Sequence, residues 1–267
     1  MKIMGILNVT PNSFSDGGNY IDPDVAIRHG RALISDGAQI IDVGGESTRP
    51  GAEPVPAEEE WERIAGVVAT LAKETTVSVD TYHAYTAKKS VEAGAHIVND
   101  VTGGQGDPAM FATVAELDCR YILQHGRGNA QSMNELAQYD DVVATVRSEL
   151  LESRDRAVAA GIAPERIILD PGLGFAKVGD MDWQVLRGLE AFLGEGHPVL
   201  IGQSRKRFLG PVTVGDNRDV ATAVISGLLA DRGVWAVRVH NVAATATAMN
   251  VHAALAGQMT DSGEGTP

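Results

Sequence analysis

Apolar runs that end on a polar side chain recur along the chain, each behind a glycine. They span Gly37 to Asp42, Gly94 to Asn99, Gly161 to Asp170 and Gly233 to His240. Glycine fits the left-handed position at which a helix ends, and a run rich in Val and Ile is typical of a strand buried on both faces. The repeat therefore predicts one helix-to-strand unit used several times.

Further runs end in the same way without the glycine. They are Ile3 to Asn8, Thr76 to Asp80, Arg120 to His125 and His197 to Ser204. Strands that alternate with helices in this way predict an α/β fold, a single-domain (β/α)8 TIM barrel over residues 1–256. The polar residues at the strand ends then converge on one mouth, which is where barrel enzymes have their active sites.

The segments between the strands carry helix and loop signals. Asp22-Pro23 and Asp107-Pro108 each predict the start of a helix. Two apolar stripes at helical spacing predict faces that pack on the barrel: Trp61, Ile64, Val68 and Leu71, and then Val142, Val146 and Leu150. The segments Thr10 to Ile21 and Gly44 to Ala57, rich in Gly and Pro, are candidate lids over the mouth.

Composition narrows the class of protein. The net charge of −13 argues against a nucleic-acid partner, and no apolar stretch approaches the ~20 residues of a membrane span. The single cysteine, Cys119, fits a reducing cytoplasm and a core position in the fifth strand. With the first strand at Ile3 we expect no signal peptide, and we expect residues 257–267, which are small and polar, to be disordered.

The predicted mouth has two chemical halves. Asp42, Asp80, Asn99 and Asp170 supply carboxylates and an amide, whereas Arg49, Lys206, Arg238 and His240 supply base. Buried acceptors suit a neutral heteroaromatic ring with several N–H donors, because an unpaired buried donor costs about 1–3 kcal/mol. The basic group suits phosphate oxygens.

No motif points to a dedicated metal cage or to a covalent nucleophile. HxH, HExxH and tight Asp clusters are absent from the sequence, and we expect His29, His83 and His252 to be solvated. A magnesium ion carried by a substrate diphosphate, with Asn8 as an oxygen ligand, needs no such cage. Ser204 lies outside any GxSxG motif, which favours direct displacement.

At these strand ends the chain resembles the dihydropteroate synthase family. The matching segments are Met4 to Gly18 (MGILNVTPNSFSDGG), Asp42 to Gly51 (DVGGESTRPG), Ser78 to Thr81 (SVDT), Asn99-Asp100, Asp170 to Phe175 (DPGLGF), Ser204 to Gly210 (SRKRFLG) and Arg238 to His240 (RVH). The resemblance implies condensation of 6-hydroxymethyl-7,8-dihydropterin diphosphate with p-aminobenzoate, with Mg²⁺, in a homodimer that is a sulfonamide target.

The resemblance also implies roles for individual residues. The pterin pocket would comprise Asp80, Asn99, Asp170 and Lys206, with Arg238 stacked on the ring. The diphosphate and magnesium would be held by Asn8, Thr48, Arg49, Arg238 and His240. The p-aminobenzoate pocket would be formed by Phe14, Pro50, Phe175, Ser204 and Lys206. The implied catalytic residues are Asp80, Lys206, Arg238 and His240, acting in an SN1-like displacement.

One departure and two alternatives stay open. Gln124 stands where the family usually has methionine, so an amide lies near the pterin plane or faces a tolerant wall. A pterin-binding methyltransferase with a corrinoid partner would share the acidic half, but it would have no use for the Ser204 and Arg238 motifs. A pterin-binding paralogue without turnover would have no use for Asn8, Thr48 and Arg49.

Overall fold

Eight parallel strands form one sheet that closes on itself. The structure is a computed structural model and describes residues 1–10, 22–46, 54–128 and 131–258. The strands are β1 Lys2–Asn8, β2 Ile40–Gly44, β3 Thr76–Asp80, β4 Ile97–Asp100, β5 Arg120–Gln124, β6 Ile167–Asp170, β7 Leu200–Ile201 and β8 Ala236–Val239. They pair in the order β6-β5-β4-β3-β2-β1-β8-β7.

The two ends of this sheet meet between β6 and β7. Leu169 forms a bridge with Val199, and its backbone N–H donates to the carbonyl of Pro198 at 2.9 Å. The predicted TIM barrel is thereby confirmed.

Helices surround the strands. In the described residues they are α1 Pro23–Ser35, α2 Ala57–Leu71, α3 Ala84–Glu92, α4 Met110–Glu116, α5 Val142–Ala159, α6 Met181–Arg187, α7 Glu190–Leu193, α8 Arg218–Leu229 and α9 Val242–Leu255. Short 3-10 helices cover Pro164–Arg166 and Arg207–Val212. No helix in the described ranges is long and apolar enough to cross a membrane.

The glycines that precede the strands behave as the pattern predicts. Gly37, Gly94, Gly161 and Gly233 have φ values of 111°, 109°, 106° and 82°. These left-handed angles suit glycine because it has no Cβ to clash. Each chain turn from helix to strand therefore depends on its glycine.

The two predicted helical stripes pack on the barrel. Ile64, Val68 and Leu71 are fully buried, with Trp61 packed against them at the edge. Val142, Val146 and Leu150 are buried in the same way on α5. Both predictions are confirmed.

Several predicted boundaries are wrong in detail. Strand β7 covers only two residues, and β2 continues past Asp42 to Gly44. Cys119 is buried but lies one residue before β5, not within it. Asp107 does not cap α4, whose N-cap is Ala109. Its Oδ1 accepts the N–H of Ala109 at 2.9 Å, in the turn before α4, and its Oδ2 accepts the N–H of Ala84, the first residue of α3, at 2.9 Å.

Parts of the two lid segments and most of the predicted tail lie outside the described residues. The same is true of four predicted site residues, namely Phe14, Thr48, Arg49 and Pro50.

Candidate active site

The polar side chains of the mouth form a layer directly above an apolar plug. Strand residues two apart point to the same side, so they stack along the barrel axis. The plug contains Met4, Ile40, Ile97, Ile122, Ile168, Leu200 and Ala236. Two residues further along their strands come Asp42, Asn99, Gln124, Asp170 and Arg238. The alternation of each strand therefore delivers the polar groups to one depth.

Arg238 ties this layer together. Its Nε donates to Oδ2 of Asp42 at 2.5 Å, and its Nη2 donates to Oδ2 of Asp80 at 2.6 Å. The amide of Asn99 donates to the same Asp42 oxygen at 3.1 Å. Asp42 thus aligns Arg238 and Asn99 within the layer, although the sequence analysis predicted only its place at the mouth.

Acceptor oxygens are left over in this layer. Asp42 Oδ1, Asp80 Oδ1 and Asn99 Oδ1 are buried and have no hydrogen-bond partner among the described residues. A buried acceptor without a donor is costly, so three in one place indicate a ligand that brings N–H groups. This is the chemistry that the sequence predicted for the acidic half.

Burial also shifts the acid–base properties of the layer. It raises the pKa of the Asp80 carboxyl to about 7, although the Arg238 guanidinium opposes the rise. It raises the pKa of Asp170 to about 6, opposed first by the N–H of Gly172. Burial and Arg238 lower the pKa of Lys206 to about 8. All three groups therefore titrate unusually close to neutrality.

The remaining basic groups lie beside the layer. Ser204 Oγ is 2.9 Å from His240 Nδ1 and accepts the backbone N–H of His240 at 3.1 Å. Lys206 Nζ lies 4.1 Å from the ring centroid of Phe175. Of the predicted p-aminobenzoate pocket, the described members Phe175, Ser204 and Lys206 thus lie together beside the polar layer.

An ion pair that the sequence did not indicate supports Ser204 and Lys206. Arg205, between them, has a φ of 56° in the left-handed region. Its Nε and Nη2 donate to the two carboxylate oxygens of Asp219 at 2.6 and 2.8 Å. Asp219 also accepts from the side chain of Asn241, next to His240, at 3.3 Å.

Gln124 faces the barrel interior with Ile122. It is buried, and its Nε2 donates to the carbonyl oxygen of Val101 at 3.2 Å. The side-chain amide is therefore already hydrogen-bonded within the protein, which fits the interpretation that Gln124 forms part of the wall of the site.

Asn8 is the one predicted magnesium ligand, at the end of β1. A Cβ built on Gly44 would lie 3.8 Å from Asn8 Oδ1 and 3.5 Å from the Cβ of Asp80. The amide oxygen therefore reaches the mouth beside the acidic layer. The described residues contain no group of three His, Cys, Asp or Glu side chains that could hold a metal. A single oxygen ligand suits Mg²⁺ that keeps its waters and is held mainly by phosphate.

The predicted solvated histidines differ from one another. His29 is exposed as expected. His83 is half-buried, with Nε2 3.1 Å from the carbonyl oxygen of Val55 and 3.5 Å from Glu46 Oε2. His252 is half-buried too, with Nε2 3.5 Å from Asp231 Oδ2. The prediction of a solvated side chain is therefore wrong for His83 and His252.

Comparison with known proteins agrees with this geometry. The model of the family described as pterin binding enzyme matches residues 4–240. A dihydropteroate synthase of Mycobacterium leprae is 49% identical over 261 residues, which cover 94% of this chain and 92% of the relative.

Solved structures give the same result. A Xanthomonas albilineans dihydropteroate synthase with 4-aminobenzoic acid has a TM-score of 0.86 at 41% identity, covering 96% of this chain and 93% of that one. A Yersinia pestis dihydropteroate synthase in a sulfonamide drug complex has a TM-score of 0.87 at 38% identity, covering 96% and 94%. The chain belongs to the dihydropteroate synthases, a family of pterin-binding transferases of folate biosynthesis.

Proposed function

We propose that the chain condenses 6-hydroxymethyl-7,8-dihydropterin diphosphate with p-aminobenzoate to give 7,8-dihydropteroate and diphosphate. The observation that carries this proposal is the layer of buried, unpaired acceptors beside Arg238 and Lys206. The relative and the solved structures described above are dihydropteroate synthases, which supports the same activity.

The pterin ring would lie on the polar layer. Asp170 would accept from its 2-amino group and N3–H, and Asn99 would meet the mixed donor and acceptor edge. Oδ1 of Asp170 already accepts the N–H of Gly172 at 2.7 Å, so its carboxylate is oriented before the ring arrives. Lys206 would donate to the 4-oxo group.

Arg238 would work through both its charge and its plane. Contacts with Asp42 and Asp80 fix the edge of the guanidinium, which leaves its flat face suited to stacking on the pterin. The bond that breaks joins the pterin methylene carbon to the diphosphate oxygen. Arg238 and His240, together with Asn8, Thr48 and Arg49, would stabilise the negative charge that develops on this leaving group.

The bond that forms joins the same carbon to the aniline nitrogen of p-aminobenzoate, which then loses a proton. We infer an SN1-like order, in which the electron-rich pterin delocalises the positive charge on the carbon and Asp80 offsets it. p-Aminobenzoate would lie against Phe175, Ser204 and Lys206, with Phe14 and Pro50 on the lid segments. Mg²⁺, when bound, would neutralise diphosphate charge, with Asn8 as a ligand.

The direct test is to mix the protein with pterin diphosphate, p-aminobenzoate and Mg²⁺ and to look for dihydropteroate by mass spectrometry. We expect product in proportion to enzyme, and an Asp170→Asn variant should give far less. Pterin binding without product would point to a paralogue that lacks turnover. Absence of both would reject the proposal.

We also propose that the chain forms a homodimer through α8 and α9. Val220, Val224 and Leu228 form an exposed apolar stripe on α8 and are 59%, 54% and 66% exposed. Val251 and Leu255 are also exposed, on α9, which packs against α8. A contiguous apolar patch of this kind is typical of a subunit interface.

Sedimentation analysis tests this interface. Val224→Asp should shift the protein towards monomer, whereas Val214→Asp, at an exposed site outside the stripe, should not. A wild-type monomer at micromolar concentration would contradict the proposal. A cytoplasmic location stays a prediction, supported by the single buried thiol of Cys119.

A further inference from the structure

Lys177 is a buried cation whose contacts are unusual. Its side chain is 2% exposed. Its Nζ lies 3.0 Å from the carbonyl oxygen of Gly172, 3.1 Å from that of Phe175 and 3.2 Å from Nδ1 of His125. None of these hydrogen bonds in the described structure goes to a carboxylate, so the ammonium is held by neutral acceptors.

Such an arrangement does not favour folding by itself. Removing an ammonium from water costs several kcal/mol, and neutral acceptors repay it less well than a carboxylate does. Burial accordingly lowers the pKa of Lys177 to about 8, with Asp182 and Asp170 opposing the shift from a distance. An apolar side chain of similar length would fill the same space without the cost of a buried charge, although it would leave the three acceptors without this donor. The reason for a buried ammonium at position 177 must therefore be sought in the groups that it contacts.

The contacts of Lys177 converge on the turn that follows β6. Within that turn, the N–H of Gly172 donates to Oδ1 of Asp170 at 2.7 Å, and the N–H of Phe175 donates to the carbonyl of Gly172 at 3.1 Å. Gly172 has a φ of 68°, and a Cβ there would lie 2.0 Å from the carbonyl oxygen of His125. The ammonium thus fastens a turn whose two ends orient Asp170 and Phe175.

His125 anchors the other side of the ammonium. Burial and the charge of Lys177 lower the pKa of His125 to about 4, so its ring is neutral at pH 7. Because Nδ1 accepts from Lys177, the ring proton lies on Nε2, which is 2.9 Å from Oε2 of Glu149. Arg127 donates to the same oxygen at 2.9 Å. A fixed chain of hydrogen bonds therefore runs from α5 to the turn.

We propose that Lys177 is a positioning residue that sets the pterin and p-aminobenzoate pockets with a single group. Through Gly172 it orients the carboxylate of Asp170 towards the pterin, and through Phe175 it fixes the wall against which p-aminobenzoate lies. The inference rests on the proposed function for the identity of the two substrates. It gives the buried charge a role in binding in addition to its contacts within the fold.

The test uses Lys177→Met, which keeps most of the length of the side chain and removes the three donor contacts. Pterin affinity is measured by calorimetry, and the KM for p-aminobenzoate is measured at saturating pterin diphosphate. We expect each to weaken by about tenfold or more, the effect of misplacing one hydrogen-bonded group. Inorganic diphosphate affinity should stay within about twofold, since Arg238 lies on β8 and His240 directly follows it, away from the turn after β6.

Two further lysine variants serve as controls for the Lys177→Met measurements. Lys73→Met, at an exposed lysine, should match the wild type in every measurement. Lys177→Gln, which keeps an N–H donor, should recover part of the pterin affinity, and it replaces the Met variant in the same measurements if that variant does not fold. Unchanged pterin affinity and p-aminobenzoate KM would overturn the proposal. So would a loss of diphosphate affinity as large as the loss of pterin affinity, which would show general disruption of the site. Calorimetric pterin binding needs no turnover, so an inactive wild type would reject the proposed function alone.

Discussion

Arg238 donates from Nε to Oδ2 of Asp42 at 2.5 Å, reaching from β8 past β1 to β2. Asp42 is wholly buried, and its only described donors are Arg238 and the amide of Asn99. The pair therefore joins two strands at the depth of the proposed pterin ring. The same contact therefore stabilises the fold of the mouth and positions the guanidinium of Arg238.

Asp42→Ala should lower the free energy of unfolding by about 3–5 kcal/mol, because it leaves a buried guanidinium with one counter-charge fewer. Urea denaturation measures this change. Asp180→Ala, which breaks the exposed pair with Arg187, is the control and should have little effect. A loss at Asp42 no larger than in the control would mean that Asp80 alone satisfies Arg238.

Pterin affinity should depend on pH through Asp170. Burial raises the pKa of this carboxyl to about 6, so it is ionised and accepts hydrogen bonds above that pH. Below pH 6 it binds a proton and loses its acceptor role, and affinity should fall by up to about tenfold for each further pH unit. Calorimetry between pH 8 and pH 5 gives the profile.

The matched variant for this profile is Asp170→Asn, which keeps an acceptor for the Gly172 N–H but cannot ionise. Its affinity should be low at pH 8 and should lack the step near pH 6. Asp80, whose pKa burial raises to about 7, keeps its own contribution in this variant, so the difference between the two profiles isolates Asp170. A wild-type profile without a step near pH 6 would remove Asp170 from the pterin contact.

The sequence predicts most of the site because strand alternation carries local information. Asp170 and Asn99 lie two residues beyond apolar plug residues, and that spacing is visible in the chain itself. Turn glycines such as Gly94 can also be recognised in the sequence, because the left-handed φ angle restricts which residue can stand there.

Other features depend on contacts between distant residues and leave no local pattern. Arg205 and Asp219 are 14 positions apart and meet only because the α8 helix returns to the barrel mouth. The short β7 reflects a barrel that closes through one bridge at Val199, which no propensity encodes. The burial of Lys177 is hidden as well, because a lysine after a loop motif is usually exposed.

Asp219→Ala should impair catalysis with little effect on stability. Arg205 holds a left-handed backbone between Ser204 and Lys206, and without its ion pair that backbone should relax and move both side chains. We expect kcat/KM for p-aminobenzoate to fall by about tenfold, or ~1.4 kcal/mol, in steady-state kinetics.

A double-mutant cycle checks that the ion pair is the cause. Arg205→Ala combined with Asp219→Ala should be no worse than Asp219→Ala alone, because Asp219→Ala already removes the ion pair as well as the contact with Asn241. Arg205→Gly accepts the left-handed angle freely but lacks the ion pair. If this variant kept full activity, the backbone angle and not the pair with Asp219 would be what positions Ser204.

Gln124→Met should leave turnover within about tenfold of the wild type, or ~1.4 kcal/mol. The amide of Gln124 already donates to the carbonyl of Val101, so the residue forms a wall and does not contact the reacting atoms in the proposed arrangement. Initial rates with both substrates at saturation measure the change. A larger loss would show that the amide has a specific bond to the pterin.

Sulfonamide inhibition should be competitive with p-aminobenzoate and should depend on diphosphate. A sulfonamide carries the same aniline and an anionic group, and a drug of this class is bound by the similar Yersinia pestis enzyme. If diphosphate and Mg²⁺ must first gather around Asn8 and Arg49, the p-aminobenzoate pocket is complete only in their presence, and binding is linked. We expect p-aminobenzoate and the drug to bind poorly to the free enzyme and at least about tenfold more tightly with pterin, diphosphate and Mg²⁺.

Substitutions at Phe14 or Pro50 should change the affinity for the sulfonamide and the affinity for p-aminobenzoate by different amounts, because the drug is longer than p-aminobenzoate and reaches further along the predicted lid segments. Equal affinity with and without diphosphate would show a preformed pocket, and the predicted role of the Thr10 to Ile21 and Gly44 to Ala57 segments would be wrong.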